Sequence, residues 1–143
     1  MDAINYSFDK KQRLTSRTLI QRLFGEGASF FAYPLRCISM VVDPDPHRPM
    51  APVQVLVSVS KKNHKRAVAR NLVKRRLREA YRLNRHRWGT LPLPDDKRLI
   101  VALVYTSREI LDYTTIEHGV IKVITEIQKR LAAGGDLSAG STD

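Results

Sequence analysis

Cysteine is almost absent from this chain: Cys37 is the single one among 143 residues. One thiol cannot form an internal disulfide, so a reducing cytoplasm is the expected setting. Its place inside the apolar run Leu35–Val42 reads as a small buried hydrophobe, not a reactive thiol. Long hydrophobic runs are missing too. No segment approaches the ~20 apolar residues that a membrane span requires. The opening MDAINYSFDKKQR also lacks the apolar stretch of a signal peptide. Carboxylates are scattered. Asp95-Asp96 is the only adjacent pair, and turn chemistry explains it, whereas a two-metal nuclease wants several converging acids. The four histidines, His47, His64, His86 and His118, show no metal-ligand spacing and read as surface residues. His64 and His86 flank the charged segment described next and are placed to meet phosphate. No glycine-rich phosphate loop is present. These absences leave no catalytic residue and no metal ligand to nominate in the protein itself.

Positive charge, by contrast, is abundant in one place. Between Lys61 and Arg87 there are 12 Lys and Arg residues against a single acid, Glu79, a net of +11 (12 minus 1). The whole protein is also +11, with 25 basic and 14 acidic residues, so the 13 basic and 13 acidic side chains elsewhere cancel (25 minus 12; 14 minus 1). The charge is a local device. Cations packed this densely repel one another and destabilise the compact state unless a polyanion offsets them. A phosphate backbone is the fitting polyanion, because each neutralised phosphate releases condensed counterions.

Around that block the sequence reads as one domain, 13–133, whose 43% hydrophobic content supports a packed core. Residues 1–12 read as a flexible arm, in which Ile4, Tyr6 and Phe8 alternate as along a sheet edge, and 134–143 as a disordered tail. A first helix is expected over Ser16–Phe24, capped by Thr15 or Ser16 and stopped by Gly25 and Gly27, with Leu19, Ile20, Leu23 and Phe24 on one stripe. Leu35–Val42 and Val53–Ser60 read as strands joined by DPDPHRPMAP (43–52), whose four prolines enforce a loop. The simplest pairing is an antiparallel hairpin. A helix follows over Ala67–Arg85, a break at 89–96, and a buried strand in the apolar run Arg98–Tyr105. The last helix is expected to open with a capping box, Thr114 and Glu117. It would bury Ile116, Val120, Val123, Ile127 and Leu131 before Gly134-Gly135. The class is α+β, in the order α-β-β-α-β-α, one small sheet covered by helices.

Placed at ~100° per residue, the basic helix separates into two faces. Ala69, Leu72, Val73, Leu77, Ala80, Tyr81 and Leu83 share a broad apolar arc, which Trp88 continues as core. Asn71, Lys74, Arg75, Arg78, Arg82 and Arg85 share the opposite arc. Lys61, Lys62, Asn63, Lys65 and Arg66 connect the preceding strand to this helix, whose N-terminal N–H groups can add to anion binding. A passive charged face usually mixes signs, because opposite charges at i and i+4 stabilise a helix. Arg66, Arg70, Lys74, Arg78 and Arg82 form an i, i+4 ladder of one sign instead. A membrane-surface helix would want Trp, Phe and Leu on its apolar side and a terminal or linker position, whereas this helix lies mid-chain between two strands with Ala and Val among its inward residues. Nucleic acid is therefore the expected partner. A face of nearly pure Arg and Lys suits backbone and shape more than base edges, which favours RNA over DNA without deciding between them.

The segment VSVSKKNHKRAVARNLVKRRLREAYR (57–82) closely resembles the signature of the protein subunit of bacterial ribonuclease P. Lys61 and Lys62 match its lysine pair, Arg70 and Asn71 the start of its Arg-Asn-Arg element, Lys74 and Arg75 its Lys-Arg, and Arg78 a later arginine. Arg13-Leu14 and the helix ending in Phe24 are similar to the family's N-terminal region. Leu72 stands where the family usually has a second arginine, so that contact is either absent or supplied by Arg76 or Arg66. Ile20 and Ile38 stand where aromatics are common.

The resemblance implies an α-β-β-β-α-β-α fold with a left-handed β-α-β crossover, the extra short strand falling within Ala28–Tyr33. It implies a ribonucleoprotein that removes the 5′ leader of precursor tRNA, with Mg²⁺ and the catalytic centre in the RNA. The protein would dock on that RNA through Lys61, Lys62, Asn63, Lys65, Arg66, Arg70, Asn71, Lys74, Arg75, Arg78 and Arg82. A cleft of helix and sheet holding Arg13, Ile20, Phe24 and Ile38 would take the leader. It implies a cytoplasmic protein with no membrane and no obligate protein partner. The rival readings are a ribosomal-like structural RNA-binding protein without a processing role, a stand-alone nuclease and a DNA-binding module.

Overall fold

The structure, a computed structural model, describes residue 6 and residues 8–134. The sequence expectations for residues 1–5, for residue 7 and for the tail from 135 on lie outside the described residues. Helix α1 (Arg17–Glu26) is followed by strands β1 (Ala28–Ala32), β2 (Leu35–Val42) and β3 (Val53–Val59), helix α2 (Ala67–Asn84), strand β4 (Arg98–Tyr105) and helix α3 (Tyr113–Ala132). Short 3-10 turns precede α1 at Lys10–Gln12 and extend α2 at Arg85–Trp88. The short strand β1 is thus present, and the class is α+β with one mixed sheet.

Strand order is β1-β2-β4-β3, with β2 antiparallel to both neighbours and β3 parallel to β4. The expected β2–β3 hairpin is wrong, because β4 lies between the two strands. Burial explains the insertion. Leu99, Ile100, Val101, Ala102 and Leu103 are consecutive and all at most 1% exposed, so β4 must be covered on both faces and flanked on both sides. β3 alternates, placing Gln54, Leu56 and Ser58 on one face, and an edge suits it. Its outer edge is partly covered by the segment before α1, where the Leu14 N–H donates to the Val55 carbonyl at 3.0 Å.

The two sheet faces carry separate cores. Val53, Val55, Val57, Leu99, Val101 and Leu103 meet α2 and α3, whose buried stripes include Val73, Leu77, Ile116, Val120 and Ile124. Ile38, Met40, Val42, Ile100 and Ala102 meet Leu14 and Leu23 beneath α1. Cys37 is fully buried, and burial pushes its thiol pKa far up, consistent with a packed, unreactive side chain. Phe8, within the segment read as an arm, is buried against Tyr81 at a ring-centroid distance of 5.1 Å.

Ser16 caps α1 by accepting from the Leu19 N–H at 3.3 Å. Gly27 ends the helix where only glycine fits, since a Cβ there would lie 2.7 Å from Ile38 Cγ2 and 2.6 Å from the Leu23 carbonyl oxygen. α3 differs from expectation at its start. Asp112 is the cap, accepting from the Thr115 N–H at 2.9 Å. Glu117 serves another purpose, accepting from Asn84 Nδ2 at 2.9 Å and from the Tyr113 hydroxyl at 3.1 Å, so it ties α3 to the end of α2.

Candidate nucleic-acid interface

α2 buries Val73, Leu77, Ala80 and Tyr81 against the sheet and α3. Each large buried side chain contributes roughly 1.5–3 kcal/mol, whereas like charges at i, i+4 cost about 0.2–0.5 kcal/mol per pair. The apolar stripe therefore wins, and the helix tolerates a one-signed outer face. Trp88 and Tyr81 belong to this core as expected, with the indole N–H donating to the Tyr81 hydroxyl at 2.9 Å. Burial lifts the Tyr81 pKa to about 12, so the phenol stays protonated.

The lysine loop before α2 is held in a fixed shape. The His64 N–H donates to the Ser60 carbonyl at 3.0 Å, and Ser60 Oγ accepts from the Lys62 N–H at 3.1 Å. Asn63 Nδ2 donates to the Thr106 carbonyl at 3.3 Å, so Asn63 braces the loop against the connection leaving β4. His64 is not the surface, phosphate-meeting residue expected. It is 6% exposed, with Nε2 2.8 Å from the Ser107 carbonyl oxygen. Lys61, Lys62, Lys65 and Arg66 remain exposed around these anchors.

The basic residues of α2 divide into anchors and presented groups. Arg70 reaches back to donate to the carbonyls of His64 at 2.9 Å and Lys65 at 2.7 Å, clamping loop to helix. Arg76 donates to the Leu111 carbonyl at 2.5 Å, bracing the approach to α3. Arg82 pairs with Glu79 and donates to the Tyr6 carbonyl at 3.1 Å. Asn71, Arg75 and Arg78 are exposed and Lys74 half-buried, and none of these four side chains makes a hydrogen bond or ion pair with a described residue.

The four residues expected to share a cleft do not share one surface. Arg13 lies beside α2, its guanidinium 5.4 Å from the centre of the Phe8 ring. There it lines a groove with Val68, Asn71, Leu72, Arg75 and Arg78. Ile20 and Ile38 pack on the opposite side of the sheet, Ile20 half-buried and Ile38 buried. Phe24, at the end of α1, is 48% exposed. Sequence reasoning missed the anchoring of Asn63, His64 and Arg70. The available signal was two non-basic residues interrupting a run of cations. Among the described residues no group of three or more His, Cys, Asp or Glu could hold a metal ion, and no helix is long and apolar enough to cross a membrane.

Comparison with known proteins identifies the family. A family model described as Ribonuclease P matches residues 8–128. The ribonuclease P protein component of Porphyromonas gingivalis strain W83 is 38% identical over 122 residues, covering 85% of this chain and 87% of that protein. That of Chlorobaculum tepidum is 40% identical over 70 residues, 49% of this chain and 46% of the relative. In fold, the chain is similar to the RNase P protein of Staphylococcus aureus, with a TM-score of 0.57 at 22% identity over 84% of this chain and 97% of that one. The Thermotoga maritima RNase P protein gives a TM-score of 0.58 at 19% identity, covering 80% and 96%. A signature over the lysine loop and α2, a family match across most of the described residues and a relative aligned over nearly its whole length agree: the chain belongs to the ribonuclease P protein family.

Proposed function

We propose that the chain docks on the ribonuclease P RNA through its lysine loop and the outer face of α2, and that the α1 side of the sheet holds the 5′ leader of precursor tRNA. The observation carrying the first half is the unpaired set Asn71, Lys74, Arg75 and Arg78, held rigidly above a buried stripe. Guanidinium and ammonium groups fixed in this way need no reorganisation to meet phosphate. Arg70, Asn63 and His64 act as positioning residues for the exposed lysines. The exposed Phe24 and the half-buried Ile20 suit sequence-tolerant contact with an unpaired strand. The chemistry would lie in the RNA, whose bound Mg²⁺ would supply activation of water. The protein's own groups bind, orient and lower the anionic charge density around the metal ions.

The test is binding to ribonuclease P RNA over a range of salt concentrations. The affinity should fall linearly on log–log axes, with a slope near −0.9 for each duplex phosphate neutralised. Lys74→Glu with Arg75→Glu should flatten that slope while the thermal melt stays unchanged. Equal slopes for the wild type and a folded double variant would refute docking through α2.

A further inference from the structure

We propose that the β1 edge carries a stacking site for unpaired bases of the leader, built from Phe31 and Tyr33 and flanked by Arg36, Lys122 and Lys129. The site rests on the reading that the chain serves ribonuclease P, and it extends the cleft to residues outside the family signature. Phe31 is 61% exposed and Tyr33 51% exposed, with ring centroids 6.4 Å apart at an interplanar angle of 63°. Leaving two such side chains in water forgoes apolar burial that the rest of the fold uses wherever it can. The neighbouring Phe30 behaves differently: it turns toward α3, where the Arg130 guanidinium covers it at 4.6 Å from the ring centre.

The platform is rigid. The Thr106 N–H and hydroxyl both donate to the Pro34 carbonyl, at 3.1 and 2.9 Å. Gly119 of α3 lets the turn approach so closely that a Cβ there would lie 2.9 Å from the Tyr33 carbonyl oxygen. Its position continues the cleft. Ser29 pairs with Ile38 and Phe31 with Arg36, so Phe31 stands on the same sheet face as Ile38, about 7 Å further along the strand. A strand lying against Phe24, over the buried Ile38, reaches Phe31 without changing face.

Charge favours a nucleic acid over a protein strand at this edge. Lys122 and Lys129 line the groove beside Phe31 and Tyr33. Its one acid, Glu126, is taken up by Arg130 at 2.9 Å. Cations around exposed aromatic rings give phosphate and base a partner each.

The experiment uses the reconstituted ribonucleoprotein and three precursors: a long leader, a leader cut to one nucleotide, and a long leader whose distal sugars carry no bases. Wild type should bind the complete long leader more tightly than the abasic one, by about five- to 150-fold per stacked base. Phe31→Ala with Tyr33→Ala should erase that difference and leave affinity for the one-nucleotide precursor unchanged. Equal wild-type affinity for the complete and abasic leaders overturns the site without any variant, so a folding defect cannot hide the answer. An equal loss on all three precursors would assign the rings to the catalytic RNA, and a changed oligomeric state with leader affinity intact would assign them to a protein interface; either overturns the proposal. Failure of wild type to bind any precursor better than the RNA alone would strike the underlying reading instead.

Discussion

The lysine loop with α2 and the α1 side of the sheet are built in opposite ways. The first presents charge on a heavily anchored frame. Asn63, His64 and Arg70 are all committed to backbone carbonyls, so that exposed lysines and arginines stand at fixed positions. The second, with the β1 edge, presents apolar rings: Phe24, Phe31 and Tyr33 are exposed beside a buried layer that includes Ile38 and Ala102. Phosphate contacts are strong, salt-dependent and blind to sequence. Stacking contacts are weaker, less sensitive to salt and require a base. On the proposed reading, one small sheet separates the surface for a folded RNA from the surface for a flexible strand.

Variants can break this division in graded steps. The largest effect is expected from Lys74→Glu with Arg75→Glu, which removes two charge-assisted contacts of about 1.5–3 kcal/mol each and adds repulsion. Gel-shift titration with ribonuclease P RNA should show at least a hundredfold weaker binding, with leader contacts intact once docking is forced at high protein concentration. Leu77→Ala strikes the frame shared by both regions. Leu77 is fully buried, and its loss should cost about 2–5 kcal/mol in urea unfolding, without changing the salt slope of the folded fraction. Phe24→Ala should cost about 1–3 kcal/mol in leader affinity and nothing in RNA docking, read by comparing precursors with and without a leader.

Asp112 gives the smallest effect. Its pKa is held below the ordinary 3.8 by the side-chain hydrogen bond to Thr115 and then by the Thr115 N–H. A depressed folded pKa contributes stability that is complete above 3.8 and lost as pH falls through the lower folded value. Asp112→Asn should remove that acid-side component of the melting curve and leave both binding regions unaffected at neutral pH.

Much of this was legible in the residues, and the remainder failed for physical reasons. The two faces of α2 follow from a 3.6-residue period and from charge, both local properties. The central position of β4 was implicit in five consecutive apolar residues, yet strand partners are set by non-local packing, and a ten-residue loop between β2 and β3 leaves the hairpin open to insertion. Arg13 is grouped with Ile20 by the family resemblance. It sits beside α2 because the chain crosses the outer edge of β3 at Leu14 before α1 begins, and successive side chains on an extended segment point to opposite faces. Asp112 is the cap because α3 begins at Tyr113, which places Thr114 within the first turn. His64 looked like part of a cationic run; only the folded position of Ser107 shows that its ring is a strut.

The most direct measurement is leader removal at low Mg²⁺ by a bacterial ribonuclease P RNA, with and without this protein, alongside the protein alone. Strong stimulation in the combined reaction and no cleavage by the protein alone is the predicted result. Tight, salt-sensitive RNA binding without stimulation would make the chain a structural RNA-binding protein, and cleavage by the protein alone would place an active site in a molecule described here as a scaffold for RNA.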